Sequence, residues 1–406
     1  MPNRPIQKIL FGSPGTGKSY RVKNAIIPDQ LNITDQSNII TTVFHPEYTY
    51  GDFMGKLMPL TDDKQKVSYT FYTGHFLKAL GRAYTNIIRS HRDYESTKEK
   101  VKEDYRLKLR TVSELASHGR LNTSQEKELD KLYDLVEKPT PNNVVLVIDE
   151  LNRGNSAAIF GTVFQLLDRA KDGWSEYPIT ISGLENIGLL KEIGLSTFYA
   201  TDSSDKKYRF EGKECSKKEY EEKVEWIFED LEENKKVNLL DLNKIKLPPN
   251  LSILATMNTS DNSIYFMDSA FKRRWDWEFV NIEDDNQRNV VSGRKIKLYN
   301  NDTFAWNDFV DKLNEFIRSH YKTVRKIEDK QIGYFFINEE TITEEHIKNK
   351  LMFFIWDSVF SNNRKPLTEL LGMTERERDL VTFGQFTQED IVKKFVKKIM
   401  EFEKNV

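Results

Sequence analysis

A single cysteine in 406 residues, Cys215, leaves nothing for an internal disulfide framework and no thiol set for a zinc site. The chain also lacks any apolar run near the roughly 20 residues that a membrane-spanning helix requires, and no signal-peptide pattern opens it. An excess of one charge is missing too. With 61 Lys and Arg against 63 Asp and Glu the formal net charge is -2, which excludes a body that grips nucleic acid through an overall basic field. Neither an internal repeat nor a low-complexity tract is present, so solenoid and fibrous architectures fall away. These absences place the expected address in the cytoplasm, with no membrane partner.

What is present begins with Gly12-Ser13-Pro14-Gly15-Thr16-Gly17-Lys18-Ser19, which satisfies G-x-x-x-x-G-K-[ST] and follows the apolar run Ile9-Leu10-Phe11. The context predicts a buried strand, a phosphate-cradling loop and a helix. Glycines at 12, 15 and 17 allow backbone conformations closed to residues with a Cβ, so that successive N–H groups converge on an anion. Lys18 adds a point charge for the β- and γ-phosphates, Ser19 offers its hydroxyl to Mg²⁺, and the helix directs its positive end at the anion. The nucleotide-holding set is Gly12, Ser13, Pro14, Gly15, Thr16, Gly17, Lys18, Ser19 and Tyr20.

The length suits two or three packed units. Strands are expected at Ile6–Phe11, Asn38–Phe44, Asn143–Ile148, Leu251–Met257 and Trp275–Val280, with the helix after the first loop stopping near Pro28. Phe44 to Phe53, dense in aromatics, reads as an ordered exposed loop, with partner contact and folding back onto the body both open. Tyr69 to Tyr72 suggests a hairpin or bulge leading to a helix over Leu77–Arg89. Residues 92–141 read as an inserted, charged helical hairpin, and about 183–248 as a second charged insertion poor in strand signals. Beyond Asn281 the pattern is helical: Phe304–Tyr321, Glu344–Phe360 and Gln388–Lys404.

Triphosphate hydrolysis needs a metal to spread charge, a carboxylate to direct water and a cation for the leaving oxygen. Asp149, at the mouth of a buried strand, is the expected second Mg²⁺ contact beside Ser19, and Glu150 the carboxylate for the water. Asn258 ends the strand Leu251–Met257 and is placed to hold that water if this strand lies beside the first. Lys272-Arg273-Arg274 sets three cations beside Trp275 and Trp277, fitting a basic surface patch, arginines stacked on tryptophan, or an arginine finger.

Three runs carry a resemblance: Val147-Ile148-Asp149-Glu150-Leu151-Asn152-Arg153-Gly154-Asn155, Met257-Asn258-Thr259-Ser260-Asp261-Asn262-Ser263, and Asp268-Ser269-Ala270-Phe271-Lys272-Arg273-Arg274-Trp275. With them the chain resembles the McrB-like AAA+ NTPases, motor subunits of methylcytosine-dependent restriction systems. The Phe44–Phe53 loop and Gln331-Ile332-Gly333-Tyr334-Phe335-Phe336 look like further family segments. The resemblance implies an α/β AAA+ fold. A five-stranded parallel sheet flanked by helices would fill residues 1–281, and a small helical lid 282–406. It implies a ring of copies, usually six, that hydrolyses GTP or ATP with Mg²⁺ and works with a McrC-like nuclease subunit. Glu150 would activate water, Asn258 would be the first sensor, and Arg153 and one of Arg273 or Arg274 would reach a neighbour's nucleotide.

The chain opens on the first strand, so DNA recognition is expected in another polypeptide, in the insertions, or nowhere. Lys272 stands where the family tends to have Arg, and Gln331 where a basic second sensor is expected, leaving Lys330 and Arg325 as weak substitutes. Two other functions compete with a DNA-restriction motor: an AAA+ ATPase that remodels a protein partner without a direct DNA role, and a nucleotide-gated scaffold without turnover.

Overall fold

The structure is a computed structural model that describes residues 4–61, 65, 67–111, 121, 123–199, 205–229, 231, 239–259, 265, 267–282, 285–373 and 380–403. Its organising element is a five-stranded, wholly parallel sheet built from β1 (Gln7–Gly12), β2 (Ile39–Val43), β3 (Val144–Asp149), β4 (Leu251–Asn258) and β5 (Asp276–Phe279). The strand order is β5-β1-β4-β3-β2. All five segments match the sequence expectation to within a residue or two: the inner strands β1, β3 and β4, covered on both faces, read as apolar runs, and the edge strands β2 and β5 as β-branched or aromatic stretches.

Alternation along each strand sends neighbouring residues to opposite cores. Ile9, Val144, Leu146, Ile148, Ile253 and Ala255 face one cluster, which helix His75–Thr111 and the segment Ser156–Leu167 cover through Phe76, Leu80, Tyr84, Phe160 and Val163. Leu10, Val145 and Leu254 face the other, closed by Val22, Ile26 and Ile27 of the helix after the phosphate loop. A third cluster, running from Val291 to Ile399, forms the separate core of the C-terminal part. No helix among the described residues is long and apolar enough to cross a membrane.

Several expectations needed revision. The first helix does not stop at Pro28 but runs on through Val22–Gln30 in wide turns, with Leu31 N–H reaching Ile26 O at 3.0 Å. Bonds spaced by five residues let the helix pass an amide that proline cannot supply. Leu77–Arg89 is part of one unbroken helix, His75–Thr111, whose charged outer half pairs with Thr123–Asp134 through Tyr105, Leu109 and Leu129. The second insertion holds a three-stranded antiparallel sheet, Leu195–Tyr199, Lys206–Phe210 and Lys213–Cys215, packed on helix Lys217–Phe228. Its strands are short and charged on the outer face, so they carry little apolar alternation. The C-terminal part is not purely helical: Lys295–Lys297, Thr303–Ala305 and Thr341–Thr343 form a small sheet beside the helices.

The Phe44–Phe53 stretch folds back on the body. Phe44 and Phe53 are fully buried, Phe53 lies 4.7 Å from the Phe160 ring, and a Thr49/Asp52 capping box closes the single turn Tyr50–Phe53. The exposed aromatics belong instead to the following hairpin, Gly55–Thr61 paired with Val67–Thr73, where Tyr69 and Tyr72 face solvent.

Candidate active site

Parallel register brings the carboxyl ends of the strands to one edge. Gly12 lies opposite Asn258, and Val43 opposite Asp149. Because β4 runs between β1 and β3, Asn258 stands between the phosphate loop and the Asp149-Glu150 pair, the adjacency on which its expected role depended. Ligands in open parallel sheets bind at this edge.

The loop takes the shape of an anion nest. Gly15 and Gly17 sit at φ 76° and 73°, where a side chain is strained, and a Cβ on Gly15 would lie 2.6 Å from the Phe336 nitrogen. Lys18 is buried, its Nζ donating to the carbonyls of Ser13 at 2.8 Å and Gly12 at 3.1 Å. The Thr16 hydroxyl donates to the same Ser13 carbonyl at 3.0 Å. Tyr20 is half exposed and stacks on Phe335, rings 5.5 Å apart and 19° from parallel.

Across the loop, the Ser19 hydroxyl lies 3.5 Å from Asp149 Oδ1, which also accepts a hydrogen bond from Thr256. A hydroxyl and a carboxylate at this spacing fit a hard cation that keeps most of its water, as Mg²⁺ does. Among the described residues no three His, Cys, Asp or Glu side chains cluster as an all-protein metal cage. Such a cage is not what Mg²⁺ beside phosphates requires.

Glu150 is held in the left-handed region, φ 54° and ψ 44°, a conformation that costs a side-chain-bearing residue about 1–3 kcal/mol and persists where surroundings over-determine it. Its Oε1 accepts from Asn258 Nδ2 at 2.9 Å, and its Oε2 lies 3.4 Å from Arg153 Nε. Asn152, fully buried, donates from Nδ2 to the Asn258 main-chain carbonyl at 2.6 Å, while its own carbonyl accepts from Tyr265 N–H at 3.1 Å. Asn152 and Thr256 are residues to which the sequence reading gave no role. The position of Asn152 inside Asp149-Glu150-Leu151-Asn152-Arg153 was the available signal. Ser260, Asp261, Asn262 and Ser263 lie outside the described residues.

The two arginines separate. Arg274 donates from Nε (3.0 Å) and Nη2 (2.7 Å) to Asp168 Oδ2 and from Nη1 to Ala270 O (2.7 Å), and its guanidinium lies 4.6 Å from the Phe164 ring centroid. Arg273 is exposed, and among the described residues its guanidinium makes no hydrogen bond or ion pair. Gln331 is buried, with Oε1 accepting from Arg318 Nη1 at 3.4 Å. Arg325 and Lys330 line a different cavity, of about 320 Å³, with Ser358 and Asn362.

Behind the site, the Tyr48 hydroxyl, pushed up to about 12 by burial, takes the Thr42 hydroxyl at 3.1 Å and lies 2.9 Å from His75 Nδ1. Burial and the neighbouring Lys78 hold His75 below its ordinary value, against an opposing pull from Asp52.

No family model matches the chain. A relative does. The chain is 26% identical over 367 residues, covering 88% of its length and 80% of the relative's, to the component YdiS of the type II restriction enzyme BsuMI of Bacillus subtilis strain 168. The aligned span takes in most of the chain, so the likeness is not confined to the phosphate loop. A component of a named restriction enzyme is what this chain is similar to.

Proposed function

We propose that this chain is an AAA+ NTPase that hydrolyses GTP or ATP with Mg²⁺ and, as a ring of copies, powers a DNA restriction complex with a nuclease-bearing partner. The observation that carries the reading is the alignment of Gly12, Asn258 and Asp149-Glu150 along one sheet edge, with Asn258 donating to Glu150 at 2.9 Å. Support for the restriction role comes from the similarity to YdiS, whose own name makes it part of such an enzyme.

In this reading the N–H groups of residues 15–20 and Lys18 Nζ bind the phosphates, and Lys18 exchanges the carbonyls of Gly12 and Ser13 for phosphate oxygens. Ser19 and Asp149 would hold Mg²⁺, which would supply charge neutralisation to the phosphates. Glu150 accepts the proton of the attacking water, and Asn258 orients both. Arg153 and Arg273 lend cations to the site of an adjoining copy, so hydrolysis depends on assembly. Phosphate release measured with GTP and with ATP, with and without the nuclease-bearing neighbour, tests this. Turnover that rises with the neighbour is expected, and none under any condition refutes the reading.

Remodelling of a protein partner is a second reading, favoured by the apolar surface of the hairpin at Leu57, Met58 and Tyr69. It predicts nucleotide turnover that is indifferent to the nuclease subunit.

A further inference from the structure

The outer side of the phosphate loop is gripped by the C-terminal part of the chain. Gly333 N–H donates to Pro14 O at 2.9 Å, Phe335 N–H donates to Gly15 O at 2.9 Å, and the Ser13 hydroxyl donates to the main-chain carbonyl of Glu328. The approach leaves no clearance. A Cβ on Gly333 would fall inside contact distance of the Gly15 carbonyl and 2.5 Å from the Thr16 nitrogen, and one on Gly15 would meet the Phe336 backbone. The Phe335 ring covers Gly17, where a Cβ would sit 3.0 Å from it, and continues onto Tyr20.

In a trans peptide the C=O and N–H of one unit point in opposite directions. The Pro14 carbonyl shares its peptide with the Gly15 amide, and the Gly15 carbonyl with the Thr16 amide. Fixing those two carbonyls outward therefore turns the amides of Gly15 and Thr16 inward, toward the position where an anion sits in such a nest. These are the loop positions most able to flip, since Gly15 has access to both halves of the φ range.

We infer that Gly333 and Phe335 are positioning residues for triphosphate binding: the strap they form sets the direction of two phosphate-facing amides, and the nucleotide site is complete only with the C-terminal part docked. The inference rests on reading residues 12–19 as a nucleotide cradle. The strap's own anchorage is rigid. Ile332 N–H and C=O are both held by the buried Asn314 side chain, at 3.0 and 2.8 Å, and Tyr334 O accepts from Trp306 Nε1 at 2.7 Å. Movement of the helical core therefore passes to the loop through three hydrogen bonds, that of the Ser13 hydroxyl to Glu328 among them, and a glycine-on-glycine contact. Nucleotide occupancy and the placement of that core are one equilibrium viewed from two ends.

The test is the affinity of full-length Gly333→Ala for a non-hydrolysable GTP or ATP analogue, read alongside hydrogen exchange at the strap and thermal unfolding. The dissociation constant is expected to rise about tenfold or more, as two aligned donors are lost. Nucleotide-induced protection of the Gly333 and Phe335 amides should disappear, and kcat at saturation should fall less than affinity. A folded variant that binds as tightly as the parent overturns the strap. Should Gly333→Ala fail to fold, Ser13→Ala deletes only the hydroxyl that reaches Glu328. It is expected to weaken binding about fivefold, one hydrogen bond's worth, and unchanged affinity overturns the inference equally. A parent chain that binds no nucleotide removes the reading of the cradle and the strap together, whereas a binding parent with an indifferent variant removes the strap alone.

Discussion

Arg273 and Arg274 are adjacent, carry the same charge, and predict opposite phenotypes. The Arg274 side chain is 7% exposed and holds Asp168, itself 35% exposed, by two hydrogen bonds. Removing one partner of a buried pair costs about 3–5 kcal/mol, a figure to be reduced here because Asp168 regains part of its hydration. Loss of the guanidinium over Phe164 adds about 0.5–1 kcal/mol, so Arg274→Ala should destabilise the sheet-bearing part by about 2–3 kcal/mol. For a unit of this size that is a fall in Tm of about 5–8 °C. Arg273, exposed at the surface, should leave Tm unchanged within about 1 °C when replaced by Ala, yet hydrolysis should drop while nucleotide binding persists. Thermal unfolding and phosphate release on the two variants decide the matter. An Arg274→Ala protein with the parent's Tm, or an Arg273→Ala protein that unfolds early and still hydrolyses, refutes the assignment of Arg274 to the fold and Arg273 to a neighbour's site.

Three further outcomes follow from the same geometry. Glu150→Gln retains its hydrogen bond from Asn258 but cannot take a proton, so nucleotide binding should persist while phosphate release falls by about 10²–10⁴-fold; unaltered turnover would sink the role. Asn152→Ala should act through Asn258, so a double variant with Asn258→Ala loses hardly more kcat than Asn258→Ala alone; additive losses would show that Asn152 works independently. His75 is held below its ordinary value of 6.5, so the unfolded chain takes up the proton first as pH falls. Its contribution to stability is present in full above about pH 6.5 and declines below it. His75→Asn should flatten the fall of Tm between about pH 7.5 and 5.5, and an equally steep fall in the variant contradicts this.

Much of the sheet was legible because its inner strands are buried on both faces and leave continuous apolar runs, as Val144 to Ile148 does, while the exposed edge strands Ile39–Val43 and Asp276–Phe279 showed themselves by β-branched and aromatic residues. Strand order was not legible, since nothing in Leu251 to Asn258 states which neighbours it takes. The phosphate loop and Asp149-Glu150 were readable because their chemistry demands particular residues at fixed spacing. The division of labour between Arg273 and Arg274 was not, because Asp168, which decides it, lies 106 positions away. Nor was the strap: its contacts are made by main-chain atoms of Gly333 and Phe335, and a backbone donor leaves no trace in residue type beyond the glycine. The short strands between Leu195 and Cys215 were hidden because charge covers their outer face and one layer of aromatics, Tyr208 on Tyr220, suffices for the inner.

The central claim, hydrolysis at a pocket finished by an adjoining copy, is tested most directly by mixing Glu150→Gln with Arg273→Ala protein and measuring phosphate release. Each alone should be nearly inactive. Random mixing in equal parts around a closed ring pairs an intact Glu150 with a neighbour's intact Arg273 at about a quarter of the sites, so activity near that fraction of the parent's is expected. A mixture as inactive as its components, from a parent that hydrolyses, contradicts the account.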